Sequence, residues 1–222
     1  MPKLEVLHEN NDYLVVNKAA GLISEKSPYE AVTIESQALN HLLKYKRKPY
    51  IGIIHRLDRV TSGVLILAKK KSVLVEFNTL FSSRKVQKTY LAIVKNKPQK
   101  DKGNLVNFLV KNNKEKRAEI VQAKSKDSQN CMLSYQVIAK NDVGYLLEIK
   151  PKTGRFHQIR AQLTHIGLPI IGDKKYGSDQ EYLPLSICLH AWKLTYEDSN
   201  SKEPQTFEAP LPNNAFWTFK SI

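Results

Sequence analysis

Apolar and polar positions alternate along the chain in short strand-like runs broken by polar turns, with three stretches at helical period. LEVLHE and DYLVVNK flank the polar Asn10-Asn11-Asp12 and predict an opening β-hairpin. In TIESQALNHLLKYK, Ile34, Ala38, Leu42 and Tyr45 recur at helical spacing behind Thr33, a residue suited to cap a helix, so a helix is expected over 33–46. YIGIIH and SGVLILAK read as strands around the polar turn RLDRVT, 72–81 as a helix, KTYLAIV as a strand, and 99–117 as an exposed, charged hairpin or loop. LSYQVIAK and YLLEIKPK form a hairpin about Asn141-Asp142. Residues 155–166 fit a helix stopped by Gly167, and ICLHAWKLTYE is the expected last strand ahead of a Pro-rich tail. Strands outnumber helices and several neighbours are antiparallel, which gives an α+β class with a mixed, mainly antiparallel sheet. There is no repeat, low-complexity tract or long linker, so one domain over 1–222 is expected.

Composition narrows the partner. The 222 residues carry 35 Lys plus Arg against 21 Asp plus Glu, a net charge of +14. Most of the excess lies between residues 41 and 126, where 22 basic residues face only Asp58, Glu76, Asp101, Glu115 and Glu119, a local balance of +17. Tyr45, Tyr50, Phe77, Phe81, Tyr90 and Phe108 are interleaved with those cations. Spaced cations can follow a phosphate backbone while aromatic faces stack on bases, the combination suited to looped or single-stranded RNA. Each cluster alone reads rather as a solubilising surface; the imbalance across the segment favours nucleic acid. Neither a secretion signal nor a spanning segment is expected, and two cysteines, Cys131 and Cys188, suit a reducing cytoplasm rather than a disulfide framework.

Several chemistries have no support. GxxxxGK[ST] and GxGxxG are absent, which removes local evidence for nucleotide hydrolysis or dinucleotide binding. The basic segment has too few carboxylates for a two-metal nuclease. Cys188, His190, His157 and His165 match no standard zinc spacing, so no metal is expected.

Two polar blocks remain. His55-Arg56-Leu57-Asp58-Arg59-Val60-Thr61-Ser62-Gly63 is a tight turn between two apolar strands, with one carboxylate between two arginines. Thr153-Gly154-Arg155-Phe156-His157-Gln158-Ile159-Arg160 enters a predicted helix, whose first turn sets Arg155 with Gln158, and His157 with Arg160, three residues apart. Asp58 beside arginine is expected to be ionised near neutrality, able to act as nucleophile or base without metal or organic cofactor. An Asp in a turn is commonly structural; its isolation in a cationic, aromatic-rich region is what singles it out.

These blocks resemble those of the RluA-like branch of RNA pseudouridine synthases. The likeness runs from DYLVVNKAAGL through IIHRLDRVTSGVLILAK and KTYLAIV to TGRFHQIRAQLTHIGLPIIGDKKYG and CLHAWKL, in the order of that family. It implies a pseudouridine-synthase catalytic domain with an RNA-binding cleft, in which a uridine of tRNA or large-subunit ribosomal RNA is flipped out, its uracil detached from C1′ and rejoined through C5. It implies that Asp58 attacks the sugar or forms a covalent adduct, that Tyr90 stacks on the uracil and is a candidate to remove the C5 proton, and that Arg155 orients Asp58. Arg56 would enter the RNA stack in place of the flipped base. His55 and Lys88 are expected behind the site or on phosphate, and Arg59, His157 and Arg160 as further RNA contacts. Leu147 and Ile149 are candidates for an apolar wall of the uracil pocket. Ala19 stands where the family often has proline, and the His-Pro that commonly follows the GL pair is missing after Leu22. No S4-like domain is expected ahead of the catalytic region, and a monomer without protein partners suffices. An idle synthase scaffold that only binds RNA and an N-glycosidase that releases uracil are the alternatives; intact Asp58, Tyr90 and Arg155 argue against the first, and free base would reveal the second.

Overall fold

The opening hairpin forms where the polar triplet stands. In the computed structural model, which describes residues 3–199 and 201–220, strands β1 (Glu5–Glu9) and β2 (Tyr13–Lys18) pair antiparallel. Asn10 Oδ1 accepts from the backbone N–H of both Asp12 and Tyr13 at 2.8 Å, an Asx turn that closes the hairpin. Helix α1 (Ile34–Leu42) follows, with Thr33 and Ser36 exchanging capping bonds. It stops short of the expected residue 46 because no apolar side chain beyond Leu42 is buried: Leu43 and Tyr45 are exposed, and Tyr45 bonds Glu9 instead. Strand β3 shrinks to Gly52–Ile53, followed by β4 (Ser62–Ala68) and α2 (Lys71–Ser82).

The chain continues through β5 (Val86–Val94), β6 (Lys102–Asn112), β7 (Arg117–Val121), β8 (Gln129–Lys140), β9 (Tyr145–Pro151) and helix α3 (Gln158–His165). It ends with β10 (Leu189–Glu197) and β11 (Pro204–Glu208). The described residues fall into two compact units, one drawn from Met1–Lys88 and His190–Leu211, the other from Thr89–Leu189 and Pro212–Ile222.

In the first unit, β2 pairs antiparallel with β4 from Tyr13↔Ala68 to Lys18↔Gly63. On the other side of β4, β10 runs parallel to it at His190↔Ser62 and Ala191↔Gly63, while β3 takes only Leu67 and Ala68. The ladder stops at Ile53↔Leu67, and the Ile66 N–H next along that edge donates to the His55 ring instead of a backbone carbonyl. From Gly63 onward β4 has no polar side chain, because both its faces are covered. Val64, Ile66 and Ala68 join Tyr13, Val73, Phe77, Tyr196 and Phe207 in one cluster, and Leu65 and Leu67 on the other face are fully buried with Leu14 and Val16. Gly63 (φ 115°) is required at the β4–β10 contact, since a Cβ there would lie 2.2 Å from the Ala191 carbonyl oxygen.

In the second unit, β5 pairs with β9, β9 with β8, β8 with β6 and β6 with β7, all antiparallel. The charged segment expected as a hairpin or loop forms a hairpin: β6 turns over residues 113–116 into β7, with Asn112 opposite Arg117. With β10 parallel to β4 amid the antiparallel pairs just described, and with helices α1, α2 and α3, the α+β class and the mixed, mainly antiparallel pairing stand as read from the sequence.

Two further readings are corrected. The helix expected from Arg155 begins at Gln158, because His157 adopts the left-handed conformation (φ 51°, ψ 22°) and cannot propagate it. Arg155 and His157 therefore precede the helix, and the rows of donors expected along its first turn do not form. The strand expected to be last is followed by β11, which pairs antiparallel with β10 from Lys193↔Glu208 to Glu197↔Pro204.

Candidate active site

Asp58 sits in the connection between β3 and β4, held by buried apolar anchors on either side. Leu57 and Thr61 are buried, whereas Arg56 and Arg59 are exposed and Asp58 is half-buried. Thr61 N–H donates to the Asp58 carbonyl at 3.0 Å, closing a four-residue turn. Ser24 fastens the preceding residue, its hydroxyl donating to the Leu57 carbonyl (3.3 Å) and accepting from Leu57 N–H (3.2 Å).

The chain after β2 clasps this turn from behind. Gly21 N–H donates to the Arg59 carbonyl at 2.8 Å, and Arg59 Nε donates to the Gly21 carbonyl at 2.9 Å. Lys18, fully buried, donates from Nζ to the carbonyls of Leu22 (2.7 Å), Ala19 (3.0 Å) and Arg59 (3.2 Å). Three acceptors call for three N–H bonds, which the ammonium has and the neutral amine lacks. Burial pushes Lys18 down to about 7, with the Asp58 carboxylate opposing that shift and Arg59 adding to it. The ammonium thus stands in the field of Asp58 with its own donors committed to the turn.

The two flanking arginines are occupied by carboxylates. Arg56 pairs with Glu25 at 2.5 Å, and Arg59 with Glu30 at 2.8 Å. Both glutamates belong to the segment between β2 and α1, so one loop holds the arginines on either side of Asp58.

His55 and Lys88 meet over Phe81. The imidazole stacks on that ring at 4.9 Å between centroids, and the Lys88 ammonium lies 5.9 Å from the ring centre. His55 Nε2 accepts from Ile66 N–H at 3.2 Å, which places the imidazole proton on Nδ1. Burial, with a smaller contribution from Lys88, pushes His55 down to about 3, so it is a neutral brace tying the turn to β4. Burial also lowers Lys88.

Tyr90, Arg155, His157 and Arg160 belong to the second unit. Tyr90 is half-buried on β5 opposite Ile149. Ile149 and Leu147 are fully buried and serve the core rather than a pocket wall. The TGRFHQIR block forms a turn stitched by Gln158, whose Oε1 accepts from Thr153 Oγ1 (2.7 Å) and Arg155 N–H (3.0 Å), while its Nε2 donates to the Met132 carbonyl (3.0 Å). This fixes the backbone of Arg155 and leaves its side chain exposed, with Nε donating to the Asn130 carbonyl at 3.4 Å. His157 Nδ1 meets the Tyr176 hydroxyl at 3.0 Å.

Arg160 departs from its expected role. It is buried and forms a two-pronged pair with buried Asp173, Nε to Oδ2 at 2.7 Å and an NH₂ group to Oδ1 at 2.8 Å, with the Tyr176 ring 4.8 Å from its guanidinium carbon. A guanidinium whose donors face an internal carboxylate has no phosphate to meet, so Arg160 is a structural residue of this unit. Lys69 is similarly withdrawn, buried against Glu9 at 2.7 Å. The basic stretch from 41 to 126 is thus divided between two units and is partly internal.

Lys18, Ser24 and Asp173 were not singled out by the sequence. Lys18 left a signal: on β2 it shares the parity of buried Leu14 and Val16, so a strand alternation carried one residue further points a lysine inward. Among the described residues no three His, Cys, Asp or Glu side chains gather to hold a metal ion, and no helix is long and apolar enough to cross a membrane.

A family model for RNA pseudouridylate synthases matches residues 12–165. The chain is 29% identical over 227 residues to the tRNA pseudouridine synthase C of Vibrio parahaemolyticus, covering 94% of this chain and 91% of that one. It is 32% identical over 210 residues to the ribosomal large subunit pseudouridine synthase C of Rickettsia conorii, covering 93% of this chain and 68% of that one. Among solved structures, human RNA pseudouridylate synthase domain containing 4 matches with a TM-score of 0.77 at 25% identity, over 94% of this chain and 89% of that one.

Proposed function

From the premise that the chain belongs to the RNA pseudouridylate synthase family and is an RNA isomerase of that kind, we propose that it converts a specific uridine of tRNA or large-subunit ribosomal RNA to pseudouridine, with Asp58 as the catalytic carboxylate. The relatives named for tRNA and for the large ribosomal subunit support that pair of substrates. The observation that carries the assignment is the setting of Asp58. It is a half-buried acid on a turn pinned by Lys18, Ser24 and Gly21, with arginines exposed on both sides.

In the proposed reaction the uridine leaves the stack, with Arg56 filling the gap. The C1′–N1 bond breaks with Asp58 acting at the sugar or on the base, uracil turns, and C1′–C5 forms. The C5 proton is then lost to a base, for which Tyr90 is the candidate, and N1 gains a proton. Arg155 is assigned the orientation of the carboxylate. His55 and Lys88 support the turn, Arg59 and His157 are assigned to the RNA, and Arg160 leaves that set because of Asp173. Carboxylate, aromatic ring and cations suffice for this chemistry without metal or organic cofactor. We place it in the cytoplasm, in keeping with two free, buried cysteines, and assign it to a monomer.

The test is Asp58→Asn, an uncharged near-isostere. RNA from a strain lacking the protein, incubated with native enzyme, is expected to gain pseudouridine; the variant is expected to bind the same RNA and form none. Product formation by the variant would refute the assignment of Asp58, and free uracil with the native enzyme would replace isomerisation by glycosidic cleavage.

A further inference from the structure

We infer that Phe156, with Lys111 above it, is a second nucleobase-binding site that stacks an unpaired base of bound RNA apart from the uridine that reacts. The inference deepens the RNA reading and rests on it only for the nature of the ligand.

Phe156 is the large aromatic that the TGRFHQIR turn leaves in solvent, 40% exposed. Its position is built rather than incidental. The His157 ring lies against it at 3.8 Å between centroids and 19° between planes. His157 reaches that pose through its left-handed backbone, and its Nδ1 is held by the Tyr176 hydroxyl at 3.0 Å. Tyr176 is buried, donates or accepts at His157 from below, and lies under the Arg160–Asp173 pair. Phe156 is therefore the outer ring of a braced aromatic column.

The remaining face of Phe156 carries a cation. The Lys111 ammonium lies 5.4 Å from the ring centroid, and a face in contact with His157 has no space for it, so it covers the other. Lys111 stands near the end of β6, next to the turn that bears Lys114 and Lys116. That turn is fastened by Lys175, which donates to the Glu115 carbonyl at 3.1 Å. An exposed ring with one protected face and an exposed cation over the other meets both parts of a nucleotide. The base takes the ring face, and the displaced ammonium meets the phosphate that comes with it. A protein partner would need apolar surroundings; here a lysine lies over the ring, which favours the polyanion.

The test uses a fluorescein-labelled adenosine 12-mer, which contains no uridine and so cannot be a substrate for isomerisation, and a matching oligomer of abasic nucleotides. Phe156→Ala is expected to weaken binding of the adenosine oligomer about tenfold and to leave the abasic oligomer unchanged, while Phe156→Trp retains affinity for both. Lys111→Met is expected to weaken both and to lower the salt slope of binding by about one phosphate contact. The native thermal transition in each variant keeps misfolding out of the comparison, since Phe156 and Lys111 are exposed. Equal affinity of native and Phe156→Ala proteins for the adenosine oligomer would overturn the site, as would an equal loss on the abasic one. Either result leaves the Asp58 assignment untouched, because the probe bypasses the reaction; failure of Asp58→Asn to abolish product would leave this site standing.

Discussion

The buried ammonium of Lys18 should be visible in how stability depends on pH. Burial lowers the group from the ordinary 10.5 to about 7 in the folded chain. Between those values the unfolded chain holds the proton and the folded one releases it, so the fold gains stability as pH rises through 7. Below 7 the cost of burying the charge is present in full. Across the two pH units from 7 to 9 the gain is about 1.4 kcal/mol per unit, or about 2.7 kcal/mol in all. Lys18→Met keeps the length of the side chain and removes the proton. Its absolute stability is a poor guide, because two effects oppose each other: three carbonyls lose their donor, at about 1–3 kcal/mol each, while a buried charge disappears. The pH slope is free of that ambiguity. Urea unfolding at pH 6 and pH 9 should show native protein stabilised relative to Lys18→Met by about 2.7 kcal/mol on going to the higher pH. Other groups titrate alike in both proteins and drop out of the difference. His55, depressed to about 3, lies outside the window. Parallel pH dependence in the two proteins would refute the reasoning, since it would mean that the carbonyl cage and Asp58 hold the ammonium at its ordinary affinity for protons.

Two further outcomes follow from the ion pairs. Glu25→Gln combined with Glu30→Gln frees Arg56 and Arg59 from carboxylates at pairs that are largely solvent-exposed and worth at most about 1 kcal/mol each. The thermal transition should shift little while RNA affinity at low salt rises and its salt slope steepens, read by fluorescence anisotropy; unchanged binding would show that these arginines do not meet phosphate. Arg160→Met leaves Asp173 buried without its cation and should cost about 3–5 kcal/mol in urea unfolding, with part recovered by adding Asp173→Asn; a loss below about 1 kcal/mol would contradict a structural pair.

What was legible in the chain is what local chemistry decides, and what was hidden depended on partners far along it. Asn10 closes its hairpin and Thr33 caps its helix with neighbours two or three residues away, so both could be read directly. The start of α3 could not, because Arg155, Phe156 and His157 all tolerate a helix. The left-handed turn at His157 goes with bonds from Gln158 to Met132 and from His157 to Tyr176. Strand β11 lies ahead of the Pro-rich tail and went unread, although its first residue, Pro204, sits at the start of a strand where a missing N–H costs least. The same division governs the cations. Arg56, Arg155 and Arg160 are equivalent as letters in two motifs, and only the placing of Asp173 thirteen residues beyond Arg160 turns the last into a core residue. Lys18 and Lys69 are drawn inward in the same manner, by carbonyls and by Glu9. The net charge of +14 therefore overstates the cations at the surface: Lys18, Lys69 and Arg160 are buried against carbonyls or carboxylates, whereas Arg56, Arg59, Arg155 and Lys111 keep exposed side chains.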